Sequence, residues 1–124
     1  MDKVQLTKAE EQMMRILWVK GSATVQQALE GFEDPKPART TVATVLTILE
    51  NKGFVSREMV GKNNVYQPIL QKEAYSKAQL FGVMRNYFNN SFASMASFFA
   101  KENNLTINEM DILIEDIKKE LQNR

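Results

Sequence analysis

The sequence predicts a mainly α-helical fold with one small β-hairpin, and three observations carry that prediction. Apolar residues recur at steps of three and four between Ala9 and Leu49. A Gly-Lys-Asn-Asn segment at 61–64 separates two short β-prone runs, and a long Phe and Met stripe fills the chain beyond residue 80. The first helix opens on a capping-box spacing, Thr7 with Glu10, and continues through Ala9, Met13, Ile16 and Leu17 to Trp18 and Val19, where Lys20-Gly21 reads as a stop. A short second helix follows, with Ser22 and Thr24 as caps and Val25, Leu29 and Phe32 as its apolar positions. Gly31 and the Glu33-Asp34-Pro35-Lys36-Pro37 stretch end it, because proline cannot continue a helix and pushes its predecessor out of the α region.

A third helix runs from Ala38 or Arg39 to about Lys52, with Val42, Val45, Leu46 and Leu49 as its stripe and Gly53 as terminator. Its other side carries Arg39, Thr40, Ala43, Thr44, Thr47 and Glu50. Four threonines within eight residues (Thr40, Thr41, Thr44, Thr47) make poor helix composition, so something other than local propensity favours them. Residues 54–60 then read as a strand, 61–64 as a turn, and Val65-Tyr66-Gln67 as the returning strand that reaches Pro68. Three helices and a two-stranded ribbon within about 70 residues is the arrangement of a winged helix-turn-helix. From about Gln71 the chain is helical and different in character. Phe81, Met84, Phe88, Phe92, Met95 and Phe99 form a stripe, with a break expected near Asn89-Asn90-Ser91 and a turn at Asn103-Asn104. Thr106 with Glu109 caps a last helix whose seam is Met110, Leu113, Ile114, Ile117 and Leu121. The expected domains are 1–70, the winged helix-turn-helix, and 71–124, a helical region.

Composition narrows the function classes. At 124 residues and 44% hydrophobic, the chain suits one domain, or a small domain with an extension, around a packed core. With no Cys and no His it lacks thiolate nucleophiles, Cys-based metal sites, and the commonest general base and metal ligand. No enzyme, cofactor or metal is therefore expected. Glu109, Asp111, Glu115 and Asp116 read as the solvated face of the last helix rather than a metal cluster, and Tyr66, Tyr75 and Tyr87 have no base beside them in sequence. Charge is flat, with 16 Lys and Arg against 15 acids, nine against eight in residues 1–70 and seven against seven in 71–124. The charged start has no apolar core of a secretory signal, and no apolar run approaches the ~20 residues that cross a bilayer. A cytoplasmic protein without direct membrane insertion is expected.

In a helix-turn-helix the second helix of the motif enters the major groove, where short hydroxyl side chains bond phosphates or base edges and their methyl groups pack on thymine methyls. Arg39, Thr40, Thr41 and Thr44 are the expected readers, with Lys36 at the helix start and Arg57, Lys62 and Asn63 from the hairpin on flanking phosphates. The same residues also fit a plain solvated face and an ordinary polar turn. One domain with so few cations neutralises few phosphates, so the weak charge calls for two copies on two half-sites. The Phe, Met and Ile stripe of the C-terminal helices supplies the means. That stripe also fits an intramolecular core or an adaptable pocket around Phe81, Met84, Phe88 and Phe92. A protein-interaction module without DNA binding and a small-molecule-responsive repressor are thus the alternatives to a DNA-binding repressor.

Several of these residues also carry a resemblance. Leu6-Thr7, Ala9-Glu10, Met13-Met14 and Trp18 fall in the first helix; Thr41-Val42, Thr44, Leu46, Leu49 and Lys52-Gly53 in the third. Gly61-Lys62, Tyr66 and Pro68 fall in the hairpin, and Ser94-Met95, Phe99 and Leu105-Thr106 beyond it. In this order and spacing the chain resembles the penicillinase-repressor (BlaI/MecI) family of winged-helix transcriptional repressors. The resemblance implies a homodimer on an inverted-repeat operator, with the C-terminal helices as dimerisation domain. It also implies induction through a membrane-embedded sensor metalloprotease that signals cleavage at an Asn-Phe bond. The aligned candidate cleavage site here is Phe98-Phe99, so Phe stands where Asn is expected. The cysteine cluster of the copper-responsive branch is missing, which excludes copper sensing of that kind.

Overall fold

A computed structural model describes residues 5–122, except for the side chains of residues 110, 113, 117, 120 and 121. In order, the elements are α1 (Lys8–Lys20), α2 (Val25–Glu30), α3 (Arg39–Asn51), β1 (Val55–Val60), β2 (Asn63–Pro68), α4 (Lys72–Tyr87), α5 (Phe92–Glu102) and α6 (Ile107–Gln122). This is the expected mainly α fold with one antiparallel hairpin. The chain divides into two compact units, the second beginning at Leu80.

In the first unit, Met13, Met14 and Leu17 of α1 meet Ala28 of α2, Val42, Leu46 and Leu49 of α3, and Val55 and Tyr66 of the hairpin in one core. The capping box at the start of α1 forms as expected. The Thr7 hydroxyl accepts from the Glu10 amide at 3.2 Å, and the Glu10 carboxylate accepts from the Thr7 amide at 2.9 Å. The buried stripe of α1 is rotated from the expected one, however. Ala9 is exposed and Ile16 half-buried, while Glu10 and Met14 are buried. Glu10 can turn inward because Lys52, just past α3, donates to both of its carboxylate oxygens.

Thr24 and Gln27 form a second capping box that the sequence reading did not include, starting α2. Small residues let α1 and α2 approach closely: Ala28 is fully buried, and a Cβ on Gly31 would stand 2.8 Å from Ile16 Cγ2. The hairpin is longer than expected. Its register runs from Val55↔Pro68 to Val60↔Asn63, so Asn63 and Asn64 belong to β2 and the turn is only Gly61-Lys62. Gly61 at φ +65 takes the first central position, where two-residue hairpins of the II′ kind place glycine. Ala23 adds a short third partner: its amide donates to the Tyr66 carbonyl at 3.0 Å, and the Tyr66 amide donates back at 2.8 Å. The start of α4 is fastened to α1. The Trp18 indole N–H donates to the Leu70 carbonyl at 2.8 Å, the Tyr75 ring lies 5.8 Å from Trp18, and the Tyr75 hydroxyl donates to Glu11 at 3.1 Å. Burial, and then the Glu11 carboxylate, push the Tyr75 hydroxyl above its ordinary range, so it remains a donor.

The second unit breaks where the sequence indicated. Asn89 and Asn90 adopt φ of 52 and 62, the left-handed region that Asn tolerates best after Gly, and Ser91 then caps α5. Asn104 at φ 54 makes the next turn, and Thr106 with Glu109 forms the expected capping box of α6. Glu109, Asp111, Glu115 and Asp116 are all exposed on α6. Met95 and Ala100 are buried; Met84, Phe88 and Phe92 are half-buried. Phe81, Phe99 and Ile114 keep 40%, 43% and 37% of their surface exposed, far more than a closed core allows. Of the expected seam, Met110, Leu113, Ile117 and Leu121 have side chains that lie outside the described residues. Among the described residues, no helix is long and apolar enough to cross a membrane.

Candidate nucleic-acid interface

The face of α3 turned away from the core is a row of threonines. Thr40, Thr44 and Thr47 are exposed, and Ile48 is 38% exposed beside them. They lie opposite Val42, Leu46 and Leu49, whose burial fixes the rotation of the helix. Thr41, also exposed, sits toward the flank, where it lines a hollow of about 620 Å³ with Val45, Pro35 and Pro37. Of the four threonines, Thr47 was read as part of this face but not singled out as a contact.

Two of the hydroxyls already have a bond within the helix. Thr44 Oγ1 donates to the Thr40 carbonyl at 2.9 Å, and Thr47 Oγ1 donates to the Ala43 carbonyl at 3.0 Å. With their protons engaged, these side chains present lone pairs and methyl groups. Such a surface suits exocyclic amino groups of adenine or cytosine and the thymine methyl better than phosphate oxygens, which only accept.

The cations around this row are placed less uniformly than the sequence implied. Arg39, at the first turn of α3, donates from Nη1 to Gln26 Oε1 of α2 at 2.6 Å. Arg57 on β1 pairs through Nε with Glu50 of α3 at 3.3 Å, tying the hairpin to the helix beside it. Lys36 turns back on α2. Its ammonium donates to the carbonyls of Phe32 and Glu30 and lies 3.9 Å from Asp34, so it satisfies the open end of that helix. Lys62 stands exposed in the hairpin turn, with Asn63 exposed next to it. Among the described residues Lys62 has no charged or hydrogen-bonding side-chain partner.

Structure thus brings Arg39, Thr40 and Thr44 to one face, ties Arg57 to that helix through Glu50, and leaves Lys62 and Asn63 at the ribbon's tip. Gln26 is the residue that sequence reasoning missed. An exposed glutamine on a six-residue helix carries no periodic or capping signal of its own, and only the fold reveals that it reaches Arg39. Glu50 and Asp34 offset Arg57 and Lys36, which leaves Arg39 and Lys62, among the described residues, as the cations of the face without a carboxylate beside them.

Comparison with known proteins gives a consistent picture. The profile of the family described as Penicillinase repressor matches residues 6–119. The chain is similar to the penicillinase repressor of Bacillus licheniformis, 23% identical over 118 residues that cover 92% of each chain. It is also similar to the methicillin resistance regulatory protein MecI of Staphylococcus aureus, 23% identical over 110 residues, 88% of this chain and 89% of that one. The protein of that name from Mammaliicoccus sciuri is 22% identical over the same coverage.

Proposed function

The chain belongs to the penicillinase repressor family of DNA-binding transcriptional regulators, which is not a family of enzymes, and on that premise we propose that it represses transcription as a homodimer on an inverted-repeat operator. The exposed Thr40-Thr44-Thr47 row on α3, flanked by Arg39 and the hairpin, is the observation that carries the reading. In the proposed complex α3 lies in the major groove with Arg39, Thr40 and Thr44 at base edges, Thr41 at the flank of the groove contact, and Lys62 and Asn63 on flanking phosphates. Arg57 joins the phosphate contacts only when its pair with Glu50 opens, and Lys36 supports the end of α2.

Pairing of copies follows from charge and from surface. A face with few cations, two of them already beside carboxylates, releases few counterions, so a single copy binds weakly at physiological salt. The exposed rings of Phe81 and Phe99 and the exposed Ile114 give the second unit an apolar surface that a second protomer would cover. Induction through a membrane-embedded sensor metalloprotease is the route that the family resemblance implies. The aligned Phe98-Phe99 bond lies inside α5, with both side chains nearly half exposed. A protease acting there has to unwind at least one helical turn to draw the peptide into an extended form.

The test is a gel-shift salt titration, on the protein's own upstream region and on random duplex. A DNA-binding repressor shows log affinity falling linearly with log salt and a tighter complex on the upstream region. The low net charge of the chain, +1, favours the rival reading, a protein-interaction module, and that reading predicts no salt-dependent binding to either duplex.

A further inference from the structure

The geometry points to Gln26 as a positioning residue for sequence readout: it holds the Arg39 guanidinium so that the free Nε and Nη2 donors of Arg39 meet the O6 and N7 edge of a guanine. This inference rests on the proposed DNA-binding reading and deepens it.

Arg39 and Gln26 come from the two helices of the helix-turn-helix, and both are exposed. Nothing in burial forces them together, yet Nη1 donates to Oε1 at 2.6 Å, which is short for a neutral acceptor and a charged donor. The amide nitrogen of Gln26 in turn donates to Glu30 Oε2 at 3.3 Å, one turn along α2. That second bond orients the amide group, so its oxygen faces Arg39. Among the described residues Arg39 has no other side-chain partner.

The chemistry of the guanidinium makes this arrangement useful. Five N–H donors lie in one plane, and guanine presents two acceptors side by side in the major groove. Because Gln26 engages only Nη1, the fork made by Nε and Nη2 keeps both donors directed elsewhere. Fixing one edge of the plane also removes much of the rotamer freedom that a long Arg side chain otherwise loses on binding. A phosphate is the competing acceptor for the same fork, and the two are distinguishable. A base contact acts at one base pair and leaves the salt dependence alone, whereas a phosphate contact acts on all sequences and steepens it.

The experiment uses full-length protein and a duplex that it enriches from a randomised pool. Base preference at each position, and the slope of log affinity against log salt, are measured for the wild type, Gln26→Ala, Gln26→Glu, Arg39→Ala and Gln26→Ala with Arg39→Ala. Gln26→Ala should reduce discrimination at one base pair per half-site by on the order of tenfold, with an unchanged salt slope. Gln26→Glu keeps an acceptor oxygen and should retain the preference with weaker overall affinity. In the Arg39→Ala background, removing Gln26 should change nothing further. Replacing the preferred guanine by 7-deazaguanine should weaken the wild type and leave Gln26→Ala with Arg39→Ala unaffected. Identical preferences for wild type and Gln26→Ala would overturn the positioning role alone. A uniform loss with a slope smaller by about one would assign Arg39 to a phosphate and overturn it too. A wild type that enriches no duplex would overturn the DNA-binding reading on which it rests.

Discussion

Lys52 Nζ lies 3.0 Å and 2.9 Å from the two carboxylate oxygens of Glu10, a residue 42 positions earlier in the chain. Glu10 is almost fully buried, whereas Lys52 keeps a partly exposed head. The pair therefore joins the N-terminal turn of α1 to the residue that ends α3, and so helps set the angle at which α3 leaves the core. Burial alone would raise the Glu10 carboxyl. The Thr7 amide and the Lys52 ammonium outweigh it and hold the group below its ordinary value.

A stability prediction follows from that pair. Lys52→Ala leaves a buried carboxylate with only its capping bonds. It should lower unfolding free energy by about 1–2 kcal/mol, less than for a fully buried pair because water reaches the ammonium. Since the folded protein holds Glu10 below its unfolded value, its contribution is complete at neutral pH. It fades as pH falls below about 4.3 and through the lower folded value. Thermal melts between neutral and acid pH should show the gap between wild type and variant narrowing on acidification, because the variant already lacks the Lys52 contribution that protonation of Glu10 removes.

Opening the tie between hairpin and α3 should strengthen nonspecific binding. Glu50→Ala frees Arg57, which now pairs at 3.3 Å. Both side chains are partly exposed, so stability should shift by no more than about 0.5 kcal/mol. Affinity for random duplex should rise, and the slope against log salt should steepen by about one. An unchanged slope would show that Arg57 stays clear of phosphate.

For the α3 face, Arg39→Ala with Thr44→Ala should abolish operator preference while melting changes little, because both residues are exposed. Unaltered operator affinity in gel shifts would remove these residues from the contact set.

Dimerisation should respond to a charge on the exposed apolar surface of the second unit. Phe99→Glu places a carboxylate where a ring is 43% exposed, so the protomer should fold while self-association fails. Sedimentation should then report a single chain, and operator affinity should fall by orders of magnitude as the second half-site is lost.

Close approach of α1 and α2 offers a packing test. Gly31→Ala adds a Cβ 2.8 Å from Ile16 Cγ2 and 3.2 Å from its Cγ1, on a β-branched side chain with little room to rotate. Stability should drop by about 1–3 kcal/mol, and Ile16→Ala in the same chain should recover part of it in denaturant titrations.

Local chemistry by itself determined where the elements lie. Thr7 with Glu10, Thr106 with Glu109, the prolines after α2 and the asparagines at 89–90 act on neighbours within a few residues, so their effect is written in the order of the chain. The threonine face of α3 was legible for the same reason: helical period assigns it once Val42, Leu46 and Leu49 are seen as apolar. Tertiary structure alone decided the partners. Arg39 meets Gln26 across 13 positions, Lys52 meets Glu10 across 42, and Tyr75 meets Glu11 across 64. Lys36 and Arg57 show the consequence, because their charge was plain while their direction depended on Phe32, Asp34 and Glu50. A long cation pivots on several bonds, and which carbonyl or carboxylate captures it depends on how the helices pack, which no local pattern records.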